Sequence, residues 1–236
     1  MKAILLAAGK GSRISRNIKS IPKSTLEINN IPLIRRNVVM LLERGIEVIV
    51  CVGYQKEQIY EVLYDLPVKY YYNPFFKVTN SIASLWFAKE ELNEDVLIIN
   101  ADVYFGENIL ESIICDNRNC VLMTDRKRIE QGDYFFKLKQ GCICKYGKGL
   151  PIEDRSCEYV GIGKIRSSFI KKFKDRMNLL IESGQYDLWW ENIIYSISDE
   201  ERIETLDVNG EFWAEIDYFD DYERILSHVH KGEIKE

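Results

Sequence analysis

The sequence predicts an α/β protein built on a single doubly wound, Rossmann-like mixed sheet. Three observations predict it. Short apolar runs of strand length alternate with helix-length amphipathic stretches through the first half of the chain. The first run, 2–7, is continuously apolar, as in a strand covered on both faces. A glycine-rich loop follows the first run and an Asn-Ala-Asp segment follows the fourth, at the carboxyl strand ends where open α/β sheets bind ligands.

The elements follow in order. Residues 2–7 form a short apolar run, the first central strand. Residues 34–44 carry helical periodicity, and Gly45 ends them. The β-branched run 47–52 is a second strand, stopped at Gly53. A short helix spans 56–64 and stops near Pro67. Residues 68–72 make a third strand, broken by Asn73-Pro74. Residues 80–92 are amphipathic, with Ile82, Leu85, Trp86 and Leu92 on the apolar side. A fourth strand, 96–99, runs into Asn100-Ala101-Asp102. This alternation implies parallel crossovers.

The second half changes character. Residues 134–148 read as strand stretches broken by Gly141 and Gly147. Residues 158–165 are a strand, 167–182 and 188–197 helices, 212–216 a strand and 219–229 a closing helix. No internal repeat or low-complexity linker divides the chain, so one domain over residues 1–236 is expected, the second half elaborating the first.

Composition narrows the function classes. A hydrophobic fraction of 46% and a charged fraction of 29% describe a globular protein with a proper core. A net charge of -5 argues against a nucleic-acid partner. The apolar start 3–8 halts at Gly9 and is followed by Lys10, Arg13, Arg16 and Lys19, unlike a secretory leader. No run has the length of a membrane span. Cys51, Cys115, Cys120, Cys142, Cys144 and Cys157 are too sparse for a disulfide framework and read as reduced thiols. A cytoplasmic protein is expected, and a homodimer is left open.

The chemistry starts in the first loop, Leu6-Ala7-Ala8-Gly9-Lys10-Gly11-Ser12-Arg13. Its glycines let backbone N–H groups approach a polyphosphate. Arg13 can fork onto phosphate oxygens, and Lys23 after Pro22 adds a point charge. The dinucleotide fingerprint fails because Ile14 stands where a third glycine belongs. The P-loop fails because Arg13 leads into a long loop and not into a helix. Glycines alone would also suit an ordinary strand-to-helix turn.

The loop followed by Pro22-Lys23 resembles that of nucleotidyltransferases with the sugar-nucleotide pyrophosphorylase fold, a GT-A-like sheet. Val52-Gly53-Tyr54, the stretch from Asn80 to Leu85 and Asp102 fall in the family's order. Within it, the chain is most similar to small-molecule cytidylyltransferases of the bacterial phosphocholine type. Four stretches carry this: Asn73-Pro74-Phe75-Phe76 with 79–86; Glu158-Tyr159-Val160-Gly161-Ile162; Asp187-Leu188-Trp189-Trp190-Glu191-Asn192; and Glu215-Ile216-Asp217 with Asp221-Tyr222.

The resemblance implies a CTP-dependent, Mg²⁺-dependent cytidylyltransferase. It would join CMP to a small phosphorylated acceptor and release pyrophosphate, in the service of surface polysaccharide or lipid modification. Arg13 and Lys23 would be catalytic. Leu6, Ala7, Ala8, Gly9, Gly11, Ser12, Gly53, Asn80, Ser81 and Ser84 would hold the nucleotide, and Asp102 and Asp217 the metal. Residues 1–125 would then be the nucleotide half and 126–236 the acceptor half. Each Asp alone could instead cap a helix, as could Asn80.

For the acceptor, Tyr159, Asp187, Trp189, Trp190, Glu191, Trp213 and Glu215 stand in the right stretches. Aromatic faces with a carboxylate suit a quaternary ammonium, and Asp187 or Glu191 would suit a primary one. Adjacent residues on a helix face different ways, so one of Trp189 and Trp190 belongs to the core. Residues 124–133 depart from the phosphocholine enzymes, which counts against choline itself. Three rivals stand beside this reading: a sugar-1-phosphate nucleotidyltransferase, a non-catalytic nucleotide-binding module and a metal-dependent glycosyltransferase. The last lacks its Asp-x-Asp, since Tyr104 follows Asp102-Val103.

Overall fold

Strand and helix alternate as expected through the first half. The computed structural model describes residues 1–11 and 21–233, with side chains to 230. β1 (Lys2–Ala7) precedes the glycine loop. The hairpin β2 (Glu27–Ile28) and β3 (Ile31–Pro32) leads into α1 (Leu33–Leu42). β4 (Glu47–Val52), α2 (Lys56–Val62), β5 (Val68–Tyr72), α3 (Ser81–Phe87) and β6 (Val96–Asn100) continue the pattern. β7 (Val103–Phe105), α4 (Glu107–Cys115) and β8 (Cys120–Asp125) follow. The hairpin β9 (Phe135–Lys139) and β10 (Cys142–Gly147) precedes β11 (Cys157–Ile165). α5 (Ser167–Glu182), α6 (Glu191–Tyr195), β12 (Glu204–Asp207), β13 (Trp213–Glu215) and α7 (Phe219–Glu233) complete the order.

Nine strands form the main sheet in the order β5-β4-β1-β6-β11-β8-β12-β10-β9. β5, β4, β1 and β6 are parallel, and β11 runs antiparallel to both β6 and β8. The sheet is therefore mixed. Its two faces are read directly from the strands. Ala3, Leu5 and Ala7 of β1, Val48, Val50 and Val52 of β4, and Leu97 and Ile99 of β6 pack into one layer. Ile4, Ile49, Cys51, Val96 and Ile98 pack into the other. This period of two is what a pleated strand imposes. α1, α2 and α4 cover the first face with Ile34, Val38, Leu41, Ile59 and Ile113. α3, α5 and α6 cover the second with Ile82, Leu85, Phe173, Met177 and Ile193. Each fully buried aliphatic of this kind contributes about 1.5–3 kcal/mol.

Several boundaries differ from expectation for physical reasons. α1 closes two residues early, because Gly45 at φ 67 lets Ile46 N–H reach back to the Leu41 carbonyl. The expected helix 80–92 ends at Phe87 and tightens to a 3₁₀ turn over Lys89–Glu91. There the Glu91 carboxylate is drawn beneath the sheet by Lys2 at 2.9 Å and by the Tyr71 hydroxyl at 2.5 Å. The expected helix 188–197 shortens to α6. Residues 186–190 instead form turns packed against the start of α3. Asn80 N–H donates to the Tyr186 carbonyl, Ile82 N–H to the Leu188 carbonyl, and Trp190 N–H to Ser81 Oγ.

A smaller layer lies beyond the sheet. β13 pairs with β7, and their Ala214 and Tyr104 pack with Leu26, Leu33, Ile216 and Ile225. This layer ties the end of the chain to the ends of β6 and β7, which is what positions the site.

Candidate active site

The carboxyl ends of β1 and β6 open onto a cleft of about 990 Å³, its mouth included. An annex of about 420 Å³ adjoins it, sharing Leu6, Gly9 and Asp102 and adding Ala7, Gly11, Pro22 and Lys23.

Lys23 stands where cleft and annex meet. Pro22, extended at ψ 135, delivers it into the 3₁₀ turn Lys23–Thr25. Gly11 has φ +61, and a Cβ there would lie 2.6 Å from Lys23 Cγ. The loop therefore needs glycine both for its backbone and to admit the lysine stem. Lys23 Nζ donates to Asp217 Oδ1 at 2.6 Å and lies 3.6 Å from Asp102 Oδ2. Asp102 follows β6. Ile216 N–H donates to the Asp102 carbonyl at 3.0 Å, and this brings Asp217 beside it. The Asp221 carboxylate then accepts from the N–H groups of Asp217 and Tyr218, fixing that turn.

The charges are mutually dependent. Burial opposes the charge on Lys23, but Asp102, Asp217 and Glu215 outweigh it and hold its pKa above that of a free lysine. Burial pushes the Asp102 carboxyl upward, and Asp217 adds to this against the pull of Lys23. Glu215 is raised further, by burial and then by Asp102 and Asp217. Such a cluster of repelling carboxylates around one ammonium suits added positive charge. Its donors are hard oxygens, the kind Mg²⁺ takes. Among the described residues no group of three or more His, Cys, Asp or Glu could hold a metal. A cation on Asp102 and Asp217 would draw its other ligands from phosphate oxygens and water.

At one end the cleft is lined by Leu6, Ala8, Gly9, Asn80, Ser81 and Ser84. Asn80 caps α3, accepting from Ser81 N–H at 2.8 Å. Ser81 Oγ accepts from Trp190 N–H, and Ser84 Oγ accepts from Asn73 Nδ2 at 3.0 Å. Each hydroxyl keeps its proton to donate. At the other end stand Tyr159, Trp189, Glu191 and Glu215, joined by Tyr134 and Tyr195. Tyr134 meets Trp189 edge-on at 5.8 Å and stacks on Tyr195 at 5.7 Å between centroids. The Tyr159 hydroxyl lies close to Glu191 but outside hydrogen-bond geometry, buried and without a partner among the described residues. β11 departs from regular pairing between Tyr159 and Gly163, where Gly161 sits at φ +88, and this bulge re-aims the strand next to the cleft.

Residues 3–145 match the model of the MobA-like NTP transferase domain. The chain belongs to the MobA-like NTP transferase family. It is 29% identical over 246 residues to a choline-phosphate cytidylyltransferase of Streptococcus pneumoniae, covering 99% of this chain and 100% of that protein. It is 23% identical over 249 residues to a CTP:phosphoglutamine cytidylyltransferase of Campylobacter jejuni, covering 94% and 98%. A solved CTP:phosphocholine cytidylyltransferase from Streptococcus pneumoniae has a TM-score of 0.79 at 24% identity, over 97% of this chain and 98% of that one. At that identity the structural likeness speaks for the fold. The MobA-like transferase therefore has the doubly wound α/β architecture that its sequence predicts.

Four residues expected in the site lie elsewhere in this transferase. Trp190 is fully buried, its Nε1 donating to Asn100 Oδ1 at 3.2 Å. It is core, and it braces Asn100. Trp213 is 3% exposed and its Nε1 donates to Asp125 Oδ2 at 2.9 Å. That hydrogen bond holds the indole in the interior, and Trp213 does not line the cleft. Asp187 is exposed and outside the cleft, because the carbonyls of its neighbours Tyr186 and Leu188 fix that backbone against α3. Gly53 does not line the cleft either. A Cβ there would lie 2.7 Å from the Ala8 carbonyl oxygen and 2.8 Å from Phe76 Cβ. Its lack of a side chain lets β4 approach the first loop, where Tyr54 N–H donates to that same carbonyl. Ser12 and Arg13 lie outside the described residues. Sequence reasoning missed Asn73, Phe76, Thr79, Asn100, Asp133, Tyr134, Lys148 and Tyr195, which all line the cleft. Asn73, Phe76 and Thr79 stand in a stretch that carries the family resemblance, and Asn100 ends β6 two residues before Asp102; the others carried no local signal.

Glu191 makes one prediction at this point. Burial pushes its carboxyl from an ordinary 4.5 up to about 7, and the charge of Asp102 adds to that. Its ionisation therefore costs stability that accumulates as pH rises from 4.5 to 7. Glu191→Gln removes this cost. Denaturant unfolding is expected to show a gain at pH 8 that exceeds the gain at pH 5 by about 2 kcal/mol. Equal gains at both pH values would contradict the burial assignment.

Proposed function

We propose that this transferase moves CMP from CTP to the phosphate of a small, nitrogen-bearing acceptor. An acceptor phosphate oxygen attacks the α-phosphorus. The bond from that phosphorus to its bridging oxygen breaks, and pyrophosphate leaves. The convergence of Lys23, Asp102 and Asp217 at the junction of cleft and annex carries this reading. It leaves a nucleotide side at Ala8, Gly9, Ser81 and Ser84 and an acceptor side at Tyr159, Trp189, Glu191 and Glu215. Residues 1–125 thus serve the nucleotide and 126–236 the acceptor, as halves of one domain.

Lys23 binds the α-phosphate and the incoming phosphate, drawing their charges together. Gly9 and Gly11 present backbone to the triphosphate, and Arg13 forks onto it. Asp102 and Asp217 hold Mg²⁺, which when bound neutralises phosphate charge. No covalent enzyme intermediate is required. The names of the Streptococcus pneumoniae and Campylobacter jejuni relatives support cytidine as the base and a small phosphorylated molecule as acceptor. No helix among the described residues is long and apolar enough to cross a membrane. We place the enzyme in the cytoplasm, where nucleoside triphosphates are available.

Pyrophosphate release measured with CTP, UTP, dTTP, GTP and ATP against a panel of phosphorylated amines and sugar 1-phosphates tests this. CTP with a phosphorylated amine is expected to give the highest kcat/KM. A preference for UTP or dTTP with a sugar 1-phosphate would assign the protein to sugar-nucleotide synthesis instead.

A further inference from the structure

The acceptor end of the cleft contains a cation belonging to the chain itself. Lys148 lies just beyond β10, and its Nζ sits 5.2 Å from the centre of the Trp189 ring. It pairs there with Asp133, and both residues line the cleft. An indole face that already carries an ammonium is not free for another. A trimethylammonium headgroup depends on such faces, because it has no N–H to donate.

The Lys148–Asp133 pair is weakly held. The two side chains are 37% and 49% exposed, and a pair so open to water is worth about 1 kcal/mol or less. A ligand anion can therefore replace Asp133 at little cost. Deeper in the same cleft stand acidic groups. Glu191 and Glu215 supply carboxyl groups that an incoming ammonium would draw into their ionised form, and the buried Tyr159 hydroxyl has no partner among the described residues. A buried hydroxyl left unsatisfied is costly, and a ligand in the cleft would relieve it. The acceptor end thus offers two carboxyl groups inside, ready to pair with an ammonium, and a transferable positive charge at the mouth.

We infer that the acceptor carries both an ammonium and a carboxylate besides its phosphate, the ammonium facing Glu191 and the carboxylate taking Lys148 from Asp133. The acceptor is then a phosphorylated amino acid or a close derivative, and Lys148 is the residue that selects it over a choline-type headgroup. This rests on the CMP-transfer reading and deepens it.

Matched pairs test it: O-phosphoserine against phosphoethanolamine, and O-phosphohomoserine against 3-aminopropyl phosphate. Members of each pair differ only by a carboxylate. Phosphocholine completes the set, with CTP, Mg²⁺ and pyrophosphate release as readout. The full chain is expected to prefer the carboxylate-bearing member of at least one pair, and to use it at least tenfold better than phosphocholine. Lys148→Ala should lower that within-pair ratio at least tenfold and raise relative use of phosphocholine, while Lys148→Arg retains the preference. Turnover led by phosphocholine, or a Lys148→Ala variant that scales all acceptors equally, would overturn the inference and leave CMP transfer standing. No pyrophosphate from CTP with any acceptor would overturn both.

Discussion

Lys23→Ala lowers kcat by roughly 10²–10³-fold, the loss typical of removing one preorganised donor to a developing charge. The expectation follows from position. Lys23 Nζ reaches Asp217 at 2.6 Å and Asp102 at 3.6 Å, at the shared edge of the cleft and its annex. It is the point where a triphosphate entering over Gly9 and Gly11 would meet an acceptor entering past Tyr159. The side chain is not required for folding, since it holds no hydrophobic layer together. Its removal leaves Asp102, Asp217 and Glu215 facing one another, and a proton shared among them relieves the repulsion. Circular dichroism should therefore show the native fold, while steady-state pyrophosphate release shows the loss. A variant with near-normal turnover would remove Lys23 from the mechanism.

Asp102→Asn should have a larger catalytic effect and should stabilise the chain. Asparagine keeps the shape of the side chain and removes one of two carboxylates that converge on the same point. The loss expected in Mg²⁺-dependent turnover is on the order of 10³-fold or more, as for charge-neutralising groups in phosphoryl transfer. Mg²⁺ binding in the presence of CTP, followed by calorimetry, should weaken in parallel. Stability should rise. Burial and Asp217 hold the Asp102 carboxyl above its ordinary range, so its ionised form works against the fold at neutral and higher pH. Without metal at pH 8, Asp102→Asn is expected to melt a few degrees higher than the wild-type chain. A site tuned for function and strained without its ligand behaves this way. A variant that melts lower and still turns over with Mg²⁺ would defeat the metal assignment.

Most of the architecture was legible because two periods are written plainly in the chain. β1, β4 and β6 appear as apolar runs, β5 as a short aromatic run, and α5 (Ser167–Glu182) matches its expected span. The elements left unassigned are short or depend on distant partners. β7 has three residues and exists through its pairing with β13, and β12 has four and exists through β8. α4 and β8 lie between the last assigned run and the hairpin; Gly106 and the polar turn 116–119 bound them in the sequence but were not read as boundaries.

The site divides in the same way. Lys23, Asp102 and Asp217 stand at loop and strand ends, where a polar residue after an apolar run is conspicuous. Tyr134, Asp133 and Lys148 reach the cleft only because β9 folds back onto β11 and β10 onto β9. No local pattern carries that information. Trp190 and Trp213 show the converse error. A large aromatic with one N–H donor suits a ligand cage and a core equally well, and only their bonds to Asn100 and Asp125 decide between them.

The most direct measurement is identification of the product. The full chain is incubated with CTP, Mg²⁺ and the phosphorylated-amine panel, and the mixture is followed by ³¹P NMR and mass spectrometry. The expected result is stoichiometric appearance of pyrophosphate and of an acceptor–CMP species with two coupled phosphorus signals, absent in Lys23→Ala. Pyrophosphate without a CMP adduct, or an adduct formed only from another triphosphate and a sugar phosphate, would contradict CMP transfer at this site.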